Sequence, residues 1–223
     1  MSRTIKFAKA GGPEVLEFVE AQVPAPGPHE VRIKVRAIGI NRAEAMWRVD
    51  DYIERVKFPA GLGYEAAGTV DAVGKDVGGF AVGDEVNVIP SFSLNDYSTY
   101  GEVILVPDHA VVRQPKSLSF TEAASVWMMF VTAYGALIED AKVAKGDFVL
   151  IPAASSSVGL AAIQIANYAG ATTIALTSAY CREHSPMRGR WSCLWFGIAE
   201  TTKFHPEASK ERYRCRFRKQ YAK

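Results

Sequence analysis

Ala153-Ala154-Ser155-Ser156-Ser157-Val158-Gly159 is a run of small residues between an apolar stretch, Asp147 to Ile151, and a helical run, Leu160 to Ala169. A strand–turn–helix that receives a dinucleotide pyrophosphate needs small residues there. The chain turns sharply, its backbone must approach the phosphates, and the helix must pack closely on the strand. The phosphates then rest on free N–H groups at the positive end of the helix. The G-x-G-x-x-G slots fall on Ala154, Ser156 and Gly159, so only the third is glycine. Taken alone, the same run also fits a tight turn that binds nothing. The next strand ends in Thr177-Ser178, with no acid. NAD-selective sites place Asp or Glu at that point to bond the ribose 2′-OH, and such an acid would repel a 2′-phosphate. Hydroxyls there favour NADP over NAD, and Arg182 is the first cation that follows.

Other chemistries are less well supplied. All three cysteines (Cys181, Cys193, Cys215) lie in the last 45 residues, and only His29 and His109 precede them among histidines. Cys181, His184, Cys193 and His205 follow no standard zinc spacing, so no metal site is expected. Near the C-terminus Arg212, Arg214, Arg216, Arg218 and Lys219 interleave with Tyr213, Phe217 and Tyr221. Such alternation can grip single-stranded nucleic acid, but ten residues of it are weak grounds for a nucleic-acid partner.

The elements that must position these groups change character along the chain. Val31, Ile33 and Val35 alternate with Arg32, Lys34 and Arg36, the period of a half-buried strand. Thr4 to Ala8 and Val15 to Glu20 flank Gly11-Gly12-Pro13 and predict a hairpin. Further β-prone runs occur at Gly68 to Val73, Glu85 to Ile89, Tyr100 to Val106 and Ala110 to Val112. Many short strands with frequent turns predict a small barrel or sandwich. After Pro115 the pattern becomes α/β. Ser119-Phe120-Thr121-Glu122 is a capping box that should open a helix through Ala124, Val126 and Met128. A second helix is expected from Tyr134 to Ala141, then a strand, the small-residue turn, a helix closed by Gly170, and a strand over Ala171 to Leu176.

The chain has 223 residues, 48% of them apolar and 22% charged, as in ordinary soluble globular proteins. The apolar runs are short against the roughly 20 residues a membrane span needs, and the first six residues show no secretory h-region. The net charge of +2 hides a split: residues 1–178 carry 15 Lys+Arg and 20 Asp+Glu, and residues 179–223 carry 11 Lys+Arg and 4 Glu. The absence of cysteine before Cys181 gives no disulfide framework and favours a cytoplasmic setting.

Gly63-Tyr64-Glu65-Ala66-Ala67-Gly68-Thr69-Val70, then Gly74, Val77, Phe80 and Gly83-Asp84-Glu85-Val86, resemble the signature of the medium-chain dehydrogenase/reductase superfamily. Ile38-Gly39-Ile40-Asn41, Thr132-Ala133-Tyr134 and the 153–159 run fit the same family in the same order, and the resemblance covers residues 3–178. It implies a GroES-like β-barrel catalytic domain followed by a Rossmann domain, a doubly wound parallel sheet. The expected division is 1–118 for the catalytic domain, 119–178 for the first part of the NADP-binding domain and 179–223 for a basic tail foreign to the fold. A complete doubly wound fold takes on the order of 130–150 residues, so the Rossmann domain is expected to be incomplete. No strand is expected after Ser178, and the late strand that usually joins subunits in this family is expected to be missing.

The branch follows from two positions. Asn41 and Tyr64 stand where zinc alcohol dehydrogenases of the family carry Cys and His ligands, and no structural-zinc cysteines are present. The chain therefore resembles the zinc-free quinone oxidoreductase branch. A zinc-type alcohol dehydrogenase label would fit by family name only. The branch implies hydride transfer from NADPH to a quinone or an α,β-unsaturated carbonyl. By resemblance, Asn41 either donates its amide N–H to a carbonyl or caps its own turn. Tyr52 is either a proton donor or a loop tyrosine among Asp50, Asp51 and Glu54. Thr132 either lies beside the nicotinamide or packs between helices. Glu65 and Asp84 are expected to do structural work on backbone. The competing expectations are an inactive fragment of such an enzyme and, last, a tail that binds nucleic acid.

Overall fold

The computed structural model describes residues 1–177 and 191–195. Strand β1 (Ser2–Phe7) pairs antiparallel with β2 (Glu17–Ala21), which is the expected hairpin, and on its other edge with β4 (Ala60–Gly61). A second, fully antiparallel sheet has the order β7-β3-β5-β6-β8, built from β3 (Glu30–Ile38), β5 (Ala66–Val73), β6 (Glu85–Val88), β7 (Val103–Pro107) and β8 (Val111–Arg113). The alternation in β3 does what its period requires. Val31 and Ile33 are fully buried in a cluster with Val70, Val86, Val88, Ile104 and Val106. On the opposite face Arg32 and Lys34 both bind Asp71, at 2.7 and 2.6 Å. Gly68 is required where β5 crosses β3, because any Cβ there would run into the Lys34 carbonyl oxygen.

Helix α1 (Arg42–Arg48) has no counterpart in the sequence expectations. It carries Trp47 into a second core with Phe7, Val15, Leu62, Tyr64 and Leu94, where the Trp47 indole N–H donates to the Gly61 carbonyl at 3.1 Å. The capping box at residue 119 is present. The Ser119 hydroxyl accepts from the Glu122 N–H at 3.3 Å, and the Ser119 N–H donates to the Glu122 carboxylate at 2.8 Å. The helix it opens, α2 (Phe120–Ala123), lasts one turn and packs on β3 and β5. Then follow α3 (Trp127–Tyr134) and a π-helical stretch over Gly135–Asp140, in place of a separate helix starting at Tyr134. Phe120–Asp140 passes a length-and-composition test for a membrane span, a test that core helices of soluble proteins also pass.

The chain divides into two compact units, Met1–Thr132 and Ala133–Lys223. Residues 119–132 thus belong with the barrel, whereas the sequence divided the chain at 118. The second unit holds β9 (Phe148–Ile151), α4 (Ser157–Tyr168) and β10 (Thr172–Thr177), the expected βαβ unit with parallel strands. Gly170 follows α4 with φ of +84°, the left-handed residue that ends a helix. One expectation is corrected. A strand does occur after Ser178: β11 (Trp191–Trp195) lies parallel to β10 and completes the order β11-β10-β9. Aromatic residues favour strands, and the composition break obscured that local propensity. The architecture is a GroES-like barrel followed by part of a Rossmann sheet.

Candidate functional site

Asn41 sits at the end of the stretch that leaves β3 and is the N-cap residue of α1. Its backbone N–H donates to Glu44 Oε2 at 2.7 Å, and its side-chain Nδ2 donates to Glu65 Oε1 at 2.9 Å. Of the two readings of Asn41 the structure displays the turn: the residue opens α1, and its carboxamide spends one of its N–H groups on Glu65. Glu65 does more than bond a turn. It is 1% exposed, and its Oε2 accepts the Met128 N–H at 2.9 Å, tying α3 to the start of β5. Burial raises its proton affinity, and the donors from Asn41, Met128 and Trp127 pull the other way. Asp84 is structural in the expected sense, accepting the Ala81 N–H at 3.0 Å and pairing with Arg113 at 3.1 Å.

Tyr52 is not a free loop tyrosine. It is half-buried and packs on the second core, 6.2 Å from the Tyr64 ring between centroids. The row continues from Tyr64 to Phe92 and from Phe92 to Tyr97, each step 5.9 Å. Burial pushes both the Tyr52 and the Tyr64 hydroxyl above the ordinary tyrosine range, Tyr64 the further. The charge of Glu44 adds to the rise in each. Glu44 is the residue sequence reasoning missed. It is 4% exposed, and burial raises its carboxyl against the opposing pull of nearby backbone N–H groups and of Asn41. A signal was present: Asn41-Arg42-Ala43-Glu44 has capping-box spacing, and Trp47 lies one helical turn further on the same face.

Thr132 lies at the end of the same unit, exposed, and its hydroxyl donates to the Met128 carbonyl at 2.6 Å along its own helix. His29 faces Asp108 at 3.4 Å and His109 the Ser91 carbonyl at 3.1 Å, both exposed. Among the described residues no group of three or more His, Cys, Asp or Glu side chains could hold a metal ion.

The second unit contributes the turn. Ala153 adopts φ of +49°, a left-handed value uncommon for alanine and a mark of local strain. Ala154 is buried, and its N–H donates to the Leu176 carbonyl at 2.9 Å. The Ser156 hydroxyl caps α4 by accepting the Gly159 N–H at 3.1 Å. A Cβ on Gly159 would lie 2.7 Å from the Ala153 oxygen and from Ala154 Cα, so only glycine lets the helix approach the strand this closely. Ser155, Ser157 and Val158 are exposed, and the Ser157 and Val158 N–H groups have no protein partner among the described residues. Those are the first two amides of α4, free as the start of a helix leaves them. Thr177 ends β10, and Ser178, Arg182, Cys181, His184 and His205 lie outside the described residues.

Comparison with known proteins bears on both units. Residues 27–116 match the alcohol dehydrogenase GroES-like domain. The human quinone oxidoreductase is 38% identical over 171 residues, 76% of this chain and 51% of that protein. That of Pseudomonas aeruginosa is 36% identical over 199 residues, 87% of this chain and 58% of that protein. Among solved structures, the Escherichia coli quinone oxidoreductase complexed with NADPH superposes with a TM-score of 0.69 at 32% identity, covering 79% of this chain and 53% of that one. The chain spans about half the length of the curated relatives it matches. With the signature glycines, the barrel and the βαβ turn in place, the chain belongs to the medium-chain dehydrogenase/reductase superfamily, in its quinone oxidoreductase-like branch.

Proposed function

We propose that this chain carries the chemistry of a zinc-independent reductase that takes a hydride from NADPH and reduces a quinone or an α,β-unsaturated carbonyl. The observation that carries the reading is Asn41: its carboxamide is held by Glu65 at 2.9 Å and retains one N–H for a substrate oxygen. A donor at that place stabilises the negative charge that an oxygen gains as a carbonyl compound is reduced. Tyr52, half-buried beside Tyr64, is the proton source in the same unit. Thr132 is the residue proposed to lie against the nicotinamide.

The 153–159 turn suits a dinucleotide. Gly159 permits close approach, and the free Ser157 and Val158 amides can receive a pyrophosphate, with Ala154, Ser155 and Ser156 forming the bend. A bound nicotinamide nucleotide would supply the hydride. Thr177 and Ser178 in place of an acid favour the 2′-phosphorylated form. Asn41 and Tyr64 in the two zinc-ligand slots leave no imidazole or thiolate for a metal, which supports zinc independence. A cytoplasmic setting and a small-molecule substrate accompany this reading.

Titration of NADPH fluorescence with the purified chain tests it. Saturable binding, tighter for NADPH than for NADH and unchanged by a zinc chelator, is expected. Absence of binding overturns the reading for this chain. An Asn41→Ala variant should bind NADPH normally yet lose quinone reduction about 10²-fold, the scale of one oxyanion donor.

A further inference from the structure

Glu44 and Glu65 are two buried carboxyl groups joined through a single residue, since Asn41 donates its backbone N–H to one and its side-chain N–H to the other. Among the described residues neither has a cation as a hydrogen-bond or charge partner. The two are unequally supplied with donors. Glu65 has an N–H on each oxygen, from Asn41 and from Met128. Glu44 Oε2 has the Asn41 N–H, but Glu44 Oε1 is buried with no hydrogen-bond partner among the described residues. An unpartnered oxygen costs most when it carries half of a full charge and less when the carboxyl is neutral. The ionisable groups that face Glu44 are Tyr52 from the loop after α1, Tyr64 from the chain before β5, and Tyr100 from the chain before β7. The charge of Glu54 also acts on Tyr64, and that of Glu65 on Tyr100.

We propose that Glu44 is held as the neutral acid at physiological pH and is a positioning residue whose charge state sets how readily the Tyr52 hydroxyl releases a proton. The inference rests on the reading of Tyr52 as proton source for its catalytic meaning, while its physical content stands without catalysis. With Glu44 neutral, no anion opposes the loss of a proton from Tyr52. Once Glu44 ionises, its negative charge holds that proton more tightly. Tyr52 is therefore the better donor below the point at which Glu44 titrates, and turnover should decline above it.

Two spectroscopic measurements test this on the full chain. The infrared spectrum at neutral pH should show a protonated-carboxyl C=O band that disappears in Glu44→Gln. In an alkaline absorbance titration, the tyrosinate step that is lost in Tyr52→Phe should come at lower pH in Glu44→Gln than in the parent. Absence of the band, or an unmoved Tyr52 step, overturns the proposal. If Glu44→Gln does not fold, NMR of parent protein labelled with ¹³C at the glutamate carboxyl carbons decides. At least one glutamate must remain neutral at pH 7, and it must be the one whose titration shifts in Tyr52→Phe. Reductase assays are separate. A band and a shifted tyrosinate step in a chain without turnover would sink the proposed function and leave the Glu44 inference standing.

Discussion

Removing the Glu65 carboxyl group should be among the most damaging single changes in the barrel. Glu65→Ala strips the acceptor from two donors at once, the Met128 N–H and the Asn41 Nδ2–H, each 2.9 Å away. A buried donor left without a partner costs about 1–3 kcal/mol. The lost methylene adds about 0.8 kcal/mol. Against this stands the relief of a carboxyl that burial disfavours in its charged form. The expected net loss is about 2–4 kcal/mol. Glu65→Gln keeps one carbonyl oxygen for one donor and turns an N–H₂ toward the other, so about half that loss follows. Urea unfolding followed by tryptophan fluorescence measures both, since Trp47 is fully buried in the same unit. Hydrogen exchange should also show the Met128 amide losing protection in both variants. A Glu65→Ala protein within about 0.5 kcal/mol of the parent, the scatter of ordinary surface changes, would refute the assignment of Glu65 as the tie between β5 and α3.

Gly159→Ala should abolish nucleotide binding while leaving the barrel unit's unfolding unchanged, because the new Cβ meets backbone atoms at 2.7 Å in the second unit only; NADPH fluorescence and Trp47-monitored unfolding report the two effects. Asp71→Asn should cost about 1 kcal/mol at neutral pH, since its two ion pairs lie on the sheet's outer face. The hydrogen bonds from Lys34 and Arg32 hold the Asp71 carboxyl below its ordinary range. Its contribution is therefore full above the unfolded value and lost as pH falls through the folded one, so parent and variant should converge in acid melts. Glu44 and Glu65 have the opposite sign: both are raised, their contribution is full below the unfolded value, and it is lost as pH rises through the folded one.

The strands were legible where side-chain period and burial agree. The alternation of Val31, Ile33 and Val35 with cations needs no partner to be recognised, and the caps at Ser119 and Gly170 are local chemistry. Helix α1 was hidden because its buried face includes Glu44, and a carboxylate inside a seven-residue helix reads as surface. Tyr52 was ambiguous for a related reason. Its neighbours Asp50, Asp51 and Glu54 announce a solvated loop, and only the approach of Tyr64 from twelve residues away brings it onto a core. Strand β11 was obscured by the basic composition around it. What failed in each case was a contact distant in sequence, or a polar residue held where average composition would not put one.

The donor pattern at Asn41 also bears on the direction of the proposed chemistry. With Nδ2 against the Glu65 carboxyl at 2.9 Å, the carboxamide cannot be reversed without facing its oxygen at another oxygen, so the orientation is fixed electrostatically. On the proposed reading the side chain offers a substrate its second N–H, and Tyr52 its O–H. Among the described residues the buried carboxyl oxygen without a hydrogen-bond partner is on Glu44, whose carboxyl burial raises above its ordinary range. On the proposed reading, these donors match the charge that a carbonyl oxygen gains in the transition state of hydride transfer.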